Sequence, residues 1–180
     1  MSEQNNSKQG ANASLDMALE PAISTVKEVN SKQQKSDEPN PANKNRYSAL
    51  VVDDNLSSQK LLALSLSMQP QIGMIDFAEN GESAILKAKS KEYDLIFLDA
   101  KMPGIDGYET CARLREIPDY KNTPIIMVTG LTSPMDEAKG IIAGSTTYVT
   151  KPVQQIPFKK LINRQLALLE YRKSLQQPET

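Results

Sequence analysis

Residues 95–107 have the sequence LIFLDAKMPGIDG, in which four apolar residues precede an aspartate and a turn that contains proline and glycine. A short, uniformly apolar run that ends at a turn is typical of a strand in a sheet that is covered on both faces. The stretch therefore predicts a buried strand, Leu95 to Leu98, with Asp99 directly at its carboxyl end.

Similar short apolar runs lie on either side of this strand, and longer segments with helix-compatible sequences separate them. Strands that alternate with helices predict an α/β fold with a parallel sheet. The other predicted strands are 49–52, 72–77, 125–128 and 147–149, and the predicted helices lie near 56–68, 82–90, 107–116, 134–142 and 154–174.

The first part of the chain differs in composition from the rest. Residues 1–45 are rich in Asn, Gln, Ser, Lys and Glu, which predicts a disordered N-terminal tail. We expect one folded domain at 46–174, a short tail at 175–180 and no separate output domain. A helix formed with a partner is an alternative to a plain linker in the tail, because an apolar stripe recurs there at helical spacing. That stripe consists of Leu15, Leu19, Ile23 and Val26.

The composition excludes several classes of function. The 180 residues carry a formal net charge of −1, so we expect no direct binding of nucleic acid. Neither a secretory signal nor a membrane span is evident, and Cys111 is the only cysteine, which together predict a cytoplasmic protein. Histidine is absent, which excludes Ser-His-Asp and Cys-His catalysis and argues against a zinc site.

Polar residues follow the ends of four predicted strands. Asp53 and Asp54 follow the first strand, Asp99 the third and Thr129 the fourth, while Lys151 lies two residues past the fifth. In open α/β sheets the functional crevice lies beyond the carboxyl ends of the strands. Clustered carboxylates repel one another unless a cation neutralises them, and Mg²⁺ prefers oxygen ligands. These residues therefore predict a magnesium site, beside which the lysine can contact a phosphate.

Four motifs together resemble the bacterial two-component response regulator receiver family, in particular its single-domain, chemotaxis-regulator-like members. The resemblance spans about residues 47–172, and the motifs occur in the family's order and approximate spacing, including the 45-residue step from Asp54 to Asp99. The motifs are VVDDN at 51–55, LDAKMPGIDG at 98–107, VTG at 128–130 and YVTKP at 148–152.

The resemblance implies a flavodoxin-like fold, with a five-stranded parallel doubly wound sheet in the order 2-1-3-4-5 and helices on both faces. It implies that Asp99 is the nucleophile that accepts a phosphoryl group. Asp54, Asp99 and the backbone carbonyl of Lys101 would bind Mg²⁺, with Asp53 nearby or bound through water. Lys151 would contact the phosphoryl group, as in other phosphoryl-transfer sites.

The resemblance also implies how phosphorylation is transmitted. Thr129 would bind the phosphoryl group, and its movement would favour an inward position of Tyr148. The surface formed by the fourth helix, the fifth strand and the fifth helix would then bind a downstream protein. A sensor histidine kinase or histidine phosphotransfer protein would be the donor, and a phosphorylation-dependent dimer stays open. The family also has a cis peptide bond where this chain has Lys151-Pro152.

Three alternatives to this switch remain. The same Asp99 suits a phosphorelay shuttle that passes its phosphoryl group to a histidine phosphotransfer protein. A receiver can also act as a scaffold without phosphorylation. A phosphohydrolase of the haloacid dehalogenase type needs a second aspartate two residues after its nucleophile, where this chain has Lys101. We therefore expect a phosphoacceptor switch rather than a turnover enzyme.

Overall fold

The protein is represented by a computed structural model, which describes residues 46–176. The predicted tail at 1–45 and the last four residues of the predicted tail at 175–180 lie outside the described residues. Five parallel strands form one sheet in the order β2-β1-β3-β4-β5, which confirms the predicted topology. The strands are β1 (Tyr47–Val52), β2 (Ile72–Ala78), β3 (Leu95–Leu98), β4 (Ile125–Thr129) and β5 (Thr147–Thr150).

A helix follows each strand, and side-chain caps fix where several helices begin. The Asn55 side chain accepts a hydrogen bond from the Ser58 N–H, which satisfies one free donor at the start of the first helix. Asp106 caps the third helix in the same way through the N–H of Glu109. The helices are α1 (Leu56–Ser67), α2 (Gly81–Ser90), α3 (Gly107–Glu116), α4 (Pro134–Ile142) and α5 (Gln155–Gln176).

Two hydrophobic clusters cover the two faces of the sheet. One joins α1 and α5 to side chains such as Val51 and Phe97. The other joins α2 and α3 to the alternate side chains of the same strands, including Val52 and Leu98. Because successive strand residues point to opposite faces, the uniformly apolar runs of β1, β3 and β4 supply both clusters.

The boundaries differ from the prediction by more than one residue at two places. Strand β1 begins at Tyr47, two residues earlier than predicted, because Tyr47 already pairs with Ile72 of β2. Helix α5 continues to Gln176, although the buried side of its apolar stripe stops at Leu169. The Lys151–Pro152 peptide bond is cis, as the resemblance implied. Among residues 46–176, no helix has the length and apolar character that crossing a membrane requires.

Candidate functional site

Backbone hydrogen bonds continue the sheet past the strand ends and thereby position three of the predicted site residues. The Asp53 N–H donates to Ala78 O at 3.1 Å, and the Asp99 N–H donates to Val52 O at 2.9 Å. The Lys151 N–H donates to Thr129 O at 2.8 Å. Asp53, Asp99 and Lys151 therefore stand at the same edge of the sheet.

The Lys151 ammonium group joins two of the carboxylates. Its Nζ lies 2.6 Å from Asp53 Oδ2 and 3.1 Å from Asp99 Oδ2. Only 7% of the Asp53 side chain and 10% of the Asp99 side chain are exposed, so little water screens these contacts. The structure thus brings together the predicted acceptor Asp99, a second carboxylate and the amine, which the sequence analysis had placed at separate strand ends.

Burial and neighbouring charges act in opposite directions on the pKa values of Asp53 and Lys151. Burial raises the pKa of the Asp53 carboxyl above its usual range, although hydrogen bonds from Lys151 and the Asn55 N–H oppose that rise. Burial alone would lower the pKa of Lys151, but the hydrogen bond to Asp53 and the charge of Asp99 outweigh it and raise the pKa. Lys151 is therefore fully protonated at neutral pH, as a group that neutralises an anion must be.

Three carboxylates are close enough to share one ion. Asp53, Asp54 and Asp99 each offer an oxygen, and these atoms all lie within 4.8 Å of one another. Opposite ligands of an octahedral Mg²⁺ are separated by about 4.2 Å, twice the usual metal–oxygen distance, so only small side-chain movements are needed. An all-oxygen donor set suits Mg²⁺ better than zinc. The residues present therefore fit the cation that the sequence predicted.

The loop after β3 wraps tightly around Asp99. The Lys101 N–H lies 3.5 Å from Asp99 Oδ1, while the Lys101 side chain is exposed. A Cβ atom at Gly107 would lie 2.0 Å from the Asp99 carbonyl oxygen, so helix α3 can begin against the backbone of Asp99 only because this residue is glycine. The role of the Lys101 carbonyl as a metal ligand stays a prediction.

Thr129 and Tyr148 each form a hydrogen bond with the backbone of Leu131, a residue that the sequence analysis did not identify. Thr129 is the last residue of β4, is 1% exposed, and accepts a hydrogen bond from the Leu131 N–H at 3.3 Å. The half-buried Tyr148 donates its hydroxyl to Leu131 O at 2.8 Å. Leu131 thus links the two predicted switch residues through its own N–H and C=O groups.

Comparison with known proteins identifies the family. A model of the response regulator receiver domain matches residues 49–163, which is more than half of the chain. The chain belongs to this family. Its members are phosphoacceptor switches of two-component signalling, in which phosphorylation occurs on aspartate.

Individual relatives match the receiver domain over part of their length. The transcriptional regulatory protein ResD of Bacillus subtilis is 43% identical over 108 residues, which cover 60% of this chain and 43% of ResD. Protein PilG of Pseudomonas aeruginosa is 35% identical over 104 residues, covering 57% of this chain and 75% of PilG. The chain thus spans less than half of ResD and three quarters of PilG.

A solved structure shows the same fold. The chemotaxis protein CheY4 of Vibrio cholerae aligns with this receiver domain at a TM-score of 0.61 and 30% sequence identity. The alignment covers 66% of this chain and 98% of CheY4. The predicted flavodoxin-like architecture of the receiver domain is therefore confirmed.

Two further residues near the site escaped sequence reasoning. Gln59 of α1 is 5% exposed and donates from its side chain to the carbonyl oxygens of Asp53 and Ala78. The buried Tyr108 hydroxyl, at the start of α3, lies near the Tyr148 hydroxyl but makes no hydrogen bond of normal geometry within the described part of the receiver domain. A lone glutamine or tyrosine in a helix carries no signal of such a contact, because the contact depends on how the helix packs against the sheet.

Proposed function

We propose that this receiver domain is a Mg²⁺-dependent switch that accepts a phosphoryl group on Asp99 and then changes its binding to another protein. One observation carries the proposal. The Asp99 carboxylate shares the Lys151 ammonium with Asp53 and lies in a three-carboxylate cluster that fits a divalent cation. An acceptor in such a site has both of the positive charges that a transferring phosphoryl group requires.

The chemistry is a transfer from a phosphohistidine of a sensor kinase or histidine phosphotransfer protein. An Asp99 oxygen forms a bond to phosphorus, the phosphorus–nitrogen bond of the donor breaks, and the electron pair stays on the imidazole nitrogen, which takes a proton from solvent. Asp53, Asp54, Asp99 and the Lys101 carbonyl would hold Mg²⁺, which neutralises charge on the phosphoryl oxygens. Lys151 stays protonated throughout and pairs with the same oxygens.

Thr129 would transmit the effect of phosphorylation from Asp99 to the binding surface. Its hydroxyl now accepts from the Leu131 N–H, and a phosphoryl oxygen on Asp99 would compete for the Thr129 hydroxyl. Leu131 also holds Tyr148, so movement of Thr129 would change the position of that ring. The affected surface is formed by α4, β5 and α5, and we assign the downstream partner to it.

Exposed apolar side chains support a protein partner at this surface. Met135, Ile141 and Ile142 of α4 are 66%, 65% and 86% exposed. Exposed apolar side chains on one short helix suit protein contact, with a downstream target or with a second copy after phosphorylation. We place this exchange of partners in the cytoplasm, where histidine kinases present their phosphorylated domains.

The proposal is tested by phosphorylation in vitro. Acetyl phosphate and Mg²⁺ should add one base-labile phosphoryl group to the full chain, detected by intact-protein mass spectrometry. Asp99→Asn should abolish the addition. Asp106→Asn is the matched control, because Asp106 is an exposed aspartate seven residues further on and asparagine caps a helix equally well. Phosphorylation of Asp99→Asn at the unaltered rate would refute the assignment.

A second assay separates the switch from a shuttle. The phosphorylated protein is mixed with histidine phosphotransfer proteins. Transfer of the phosphoryl group to a partner histidine supports the shuttle, and binding without transfer supports the switch. Unchanged partner binding by Asp99→Asn would instead support the scaffold that works without phosphorylation.

A further inference from the structure

Gln59 has a buried side-chain amide that contacts the backbone next to Asp53 and Asp54. It lies one turn into α1, and only 5% of the residue is exposed. Its Nε2 donates to the carbonyl oxygen of Asp53 at 2.7 Å and to that of Ala78 at 3.1 Å. A buried amide is costly unless it is hydrogen-bonded, so these two contacts hold the side chain in one orientation.

The two carbonyl groups lie at the ends of neighbouring strands, because Asp53 directly follows β1 and Ala78 ends β2. Ala78 is the last residue of β2 and also accepts the Asp53 N–H, at 3.1 Å. Gln59 therefore connects α1 to the ends of β1 and β2, directly before the loop that contains Asp54. Hydrogen bonds thus join helix α1 to the ends of both strands through this one amide.

The Asp53 carbonyl belongs to the peptide group that joins Asp53 to Asp54. A peptide group is planar, so fixing its oxygen also fixes the direction in which the chain leaves toward the Cα of Asp54. The Asp53 carboxylate has further support from the Asn55 N–H and from Lys151. Asp54 is exposed, so its carboxylate depends mainly on the backbone for its position.

We propose that Gln59 is a positioning residue for the metal site, which holds the Asp53–Asp54 peptide so that the Asp54 carboxylate can share an ion with Asp53 and Asp99. The inference rests on the proposed function, because it assumes that this cluster binds Mg²⁺. Residues that orient metal ligands without touching the ion commonly change metal affinity by about 10- to 100-fold when replaced.

The test is a Mg²⁺ titration of the full chain by isothermal calorimetry. Gln59→Met keeps the length and volume of the side chain and removes its donor, and we expect its Kd for Mg²⁺ to rise at least about tenfold. The matched control is Gln69→Met, because Gln69 is 4% exposed and lies beyond the other end of α1. Its Kd should stay within about twofold of the unaltered protein.

A kinetic split distinguishes positioning from a general loss of structure. With acetyl phosphate as donor, Gln59→Met should need more Mg²⁺ for half-maximal phosphorylation but reach the unaltered maximal rate. An unchanged Kd in Gln59→Met would overturn the inference, and so would an equal loss of affinity in both glutamine variants. If Gln59→Met does not fold, Gln59→Asn, whose shorter amide cannot reach both carbonyls, should show the same rise in Kd, and an unchanged value would overturn it.

The two proposals fail in different ways. If the unaltered protein binds no Mg²⁺ at millimolar concentrations, the proposed function itself is wrong. If the unaltered protein binds Mg²⁺ and Gln59→Met binds it equally well, the proposed function stands and only the role of Gln59 is refuted.

Discussion

Lys151 contacts two of the carboxylates that we propose bind Mg²⁺, so we expect removal of the lysine to have opposite effects on protein stability and on metal binding. In Lys151→Met, the Asp53 and Asp99 carboxylates lose an ammonium group that lies 2.6 and 3.1 Å away. We expect the variant to be less stable than the unaltered protein without metal. We also expect it to bind Mg²⁺ more tightly.

The size of both effects can be worked out from the contacts. Removing one partner of a fully buried ion pair costs about 3–5 kcal/mol. One quarter of the Lys151 side chain is exposed, so we expect a smaller loss of about 2 kcal/mol in the free energy of unfolding without Mg²⁺. An ammonium group and a divalent cation about 4 Å apart repel by about 8 kcal/mol at an effective dielectric constant of 20. Because the lysine can swing toward solvent, about 1.4 kcal/mol of this should appear as tighter Mg²⁺ binding, or about tenfold in Kd.

Urea unfolding followed by circular dichroism, with and without excess Mg²⁺, measures both effects. A tenfold tighter Kd makes the stabilisation by excess Mg²⁺ about 1.4 kcal/mol larger in Lys151→Met than in the unaltered protein. Lys173→Met is the control, because its Nζ pairs with Asp94 at 3.3 Å while more than half of the Lys173 side chain is exposed. This control should change stability by less than about 1 kcal/mol and leave the Mg²⁺ effect unaltered. Equal stabilisation of Lys151→Met and the unaltered protein by Mg²⁺ would refute this expectation.

Two other predictions concern the switch and the core. Tyr148→Phe removes the hydroxyl that donates to Leu131 O, and should lower the free energy of unfolding by about 0.5–1.5 kcal/mol. Amide hydrogen exchange at Leu131 should become faster, while Asp99 should still be phosphorylated. Tyr108→Phe removes a buried hydroxyl that interacts with the Tyr148 hydroxyl only outside normal hydrogen-bond geometry, so urea unfolding should show a smaller loss of stability than for Tyr148→Phe. Similar losses in both variants would contradict the reasoning. Burial raises the pKa of Cys111 to about 11, so a thiol reagent at pH 8 should modify it only after unfolding, and rapid labelling of the native protein would contradict this burial.

The sheet was predictable because its central strands carry an unambiguous pattern. Strands β1, β3 and β4 are buried almost throughout, and a short apolar run before a turn indicates such a strand. The ends of the strands and helices were less predictable, because contacts with neighbouring elements, rather than local composition, decide where they begin and end. Tyr47 joins β1 through its pairing with Ile72, and exposed residues beyond Leu169 continue α5 without adding to its buried face.

The clustering of the site could be anticipated for one physical reason. Parallel strands present their carboxyl ends at one edge, so polar residues that follow several strands must converge. That reasoning finds side chains such as Asp99 and Lys151, whose chemistry is visible in the sequence. It does not find Gln59 or Leu131, because Gln59 acts on backbone carbonyls and Leu131 acts through its own backbone, and any residue type has these groups.

The site combines a rigid part with a loop that has room to move. Hydrogen bonds to neighbouring strands hold the backbones of Asp53, Asp99 and Lys151, which suits phosphoryl transfer because the charges must already be in place. Beyond β4 the chain leaves the sheet, and a Cβ atom at the exposed Gly130 would meet no atom within 4 Å. The Leu131 peptide groups follow this open position, while the Leu131 side chain packs against the hydrophobic cluster that contains Val52 and Leu98. The site of the proposed phosphoryl transfer and the loop that we propose responds to it are therefore separated by only one or two residues at the end of β4.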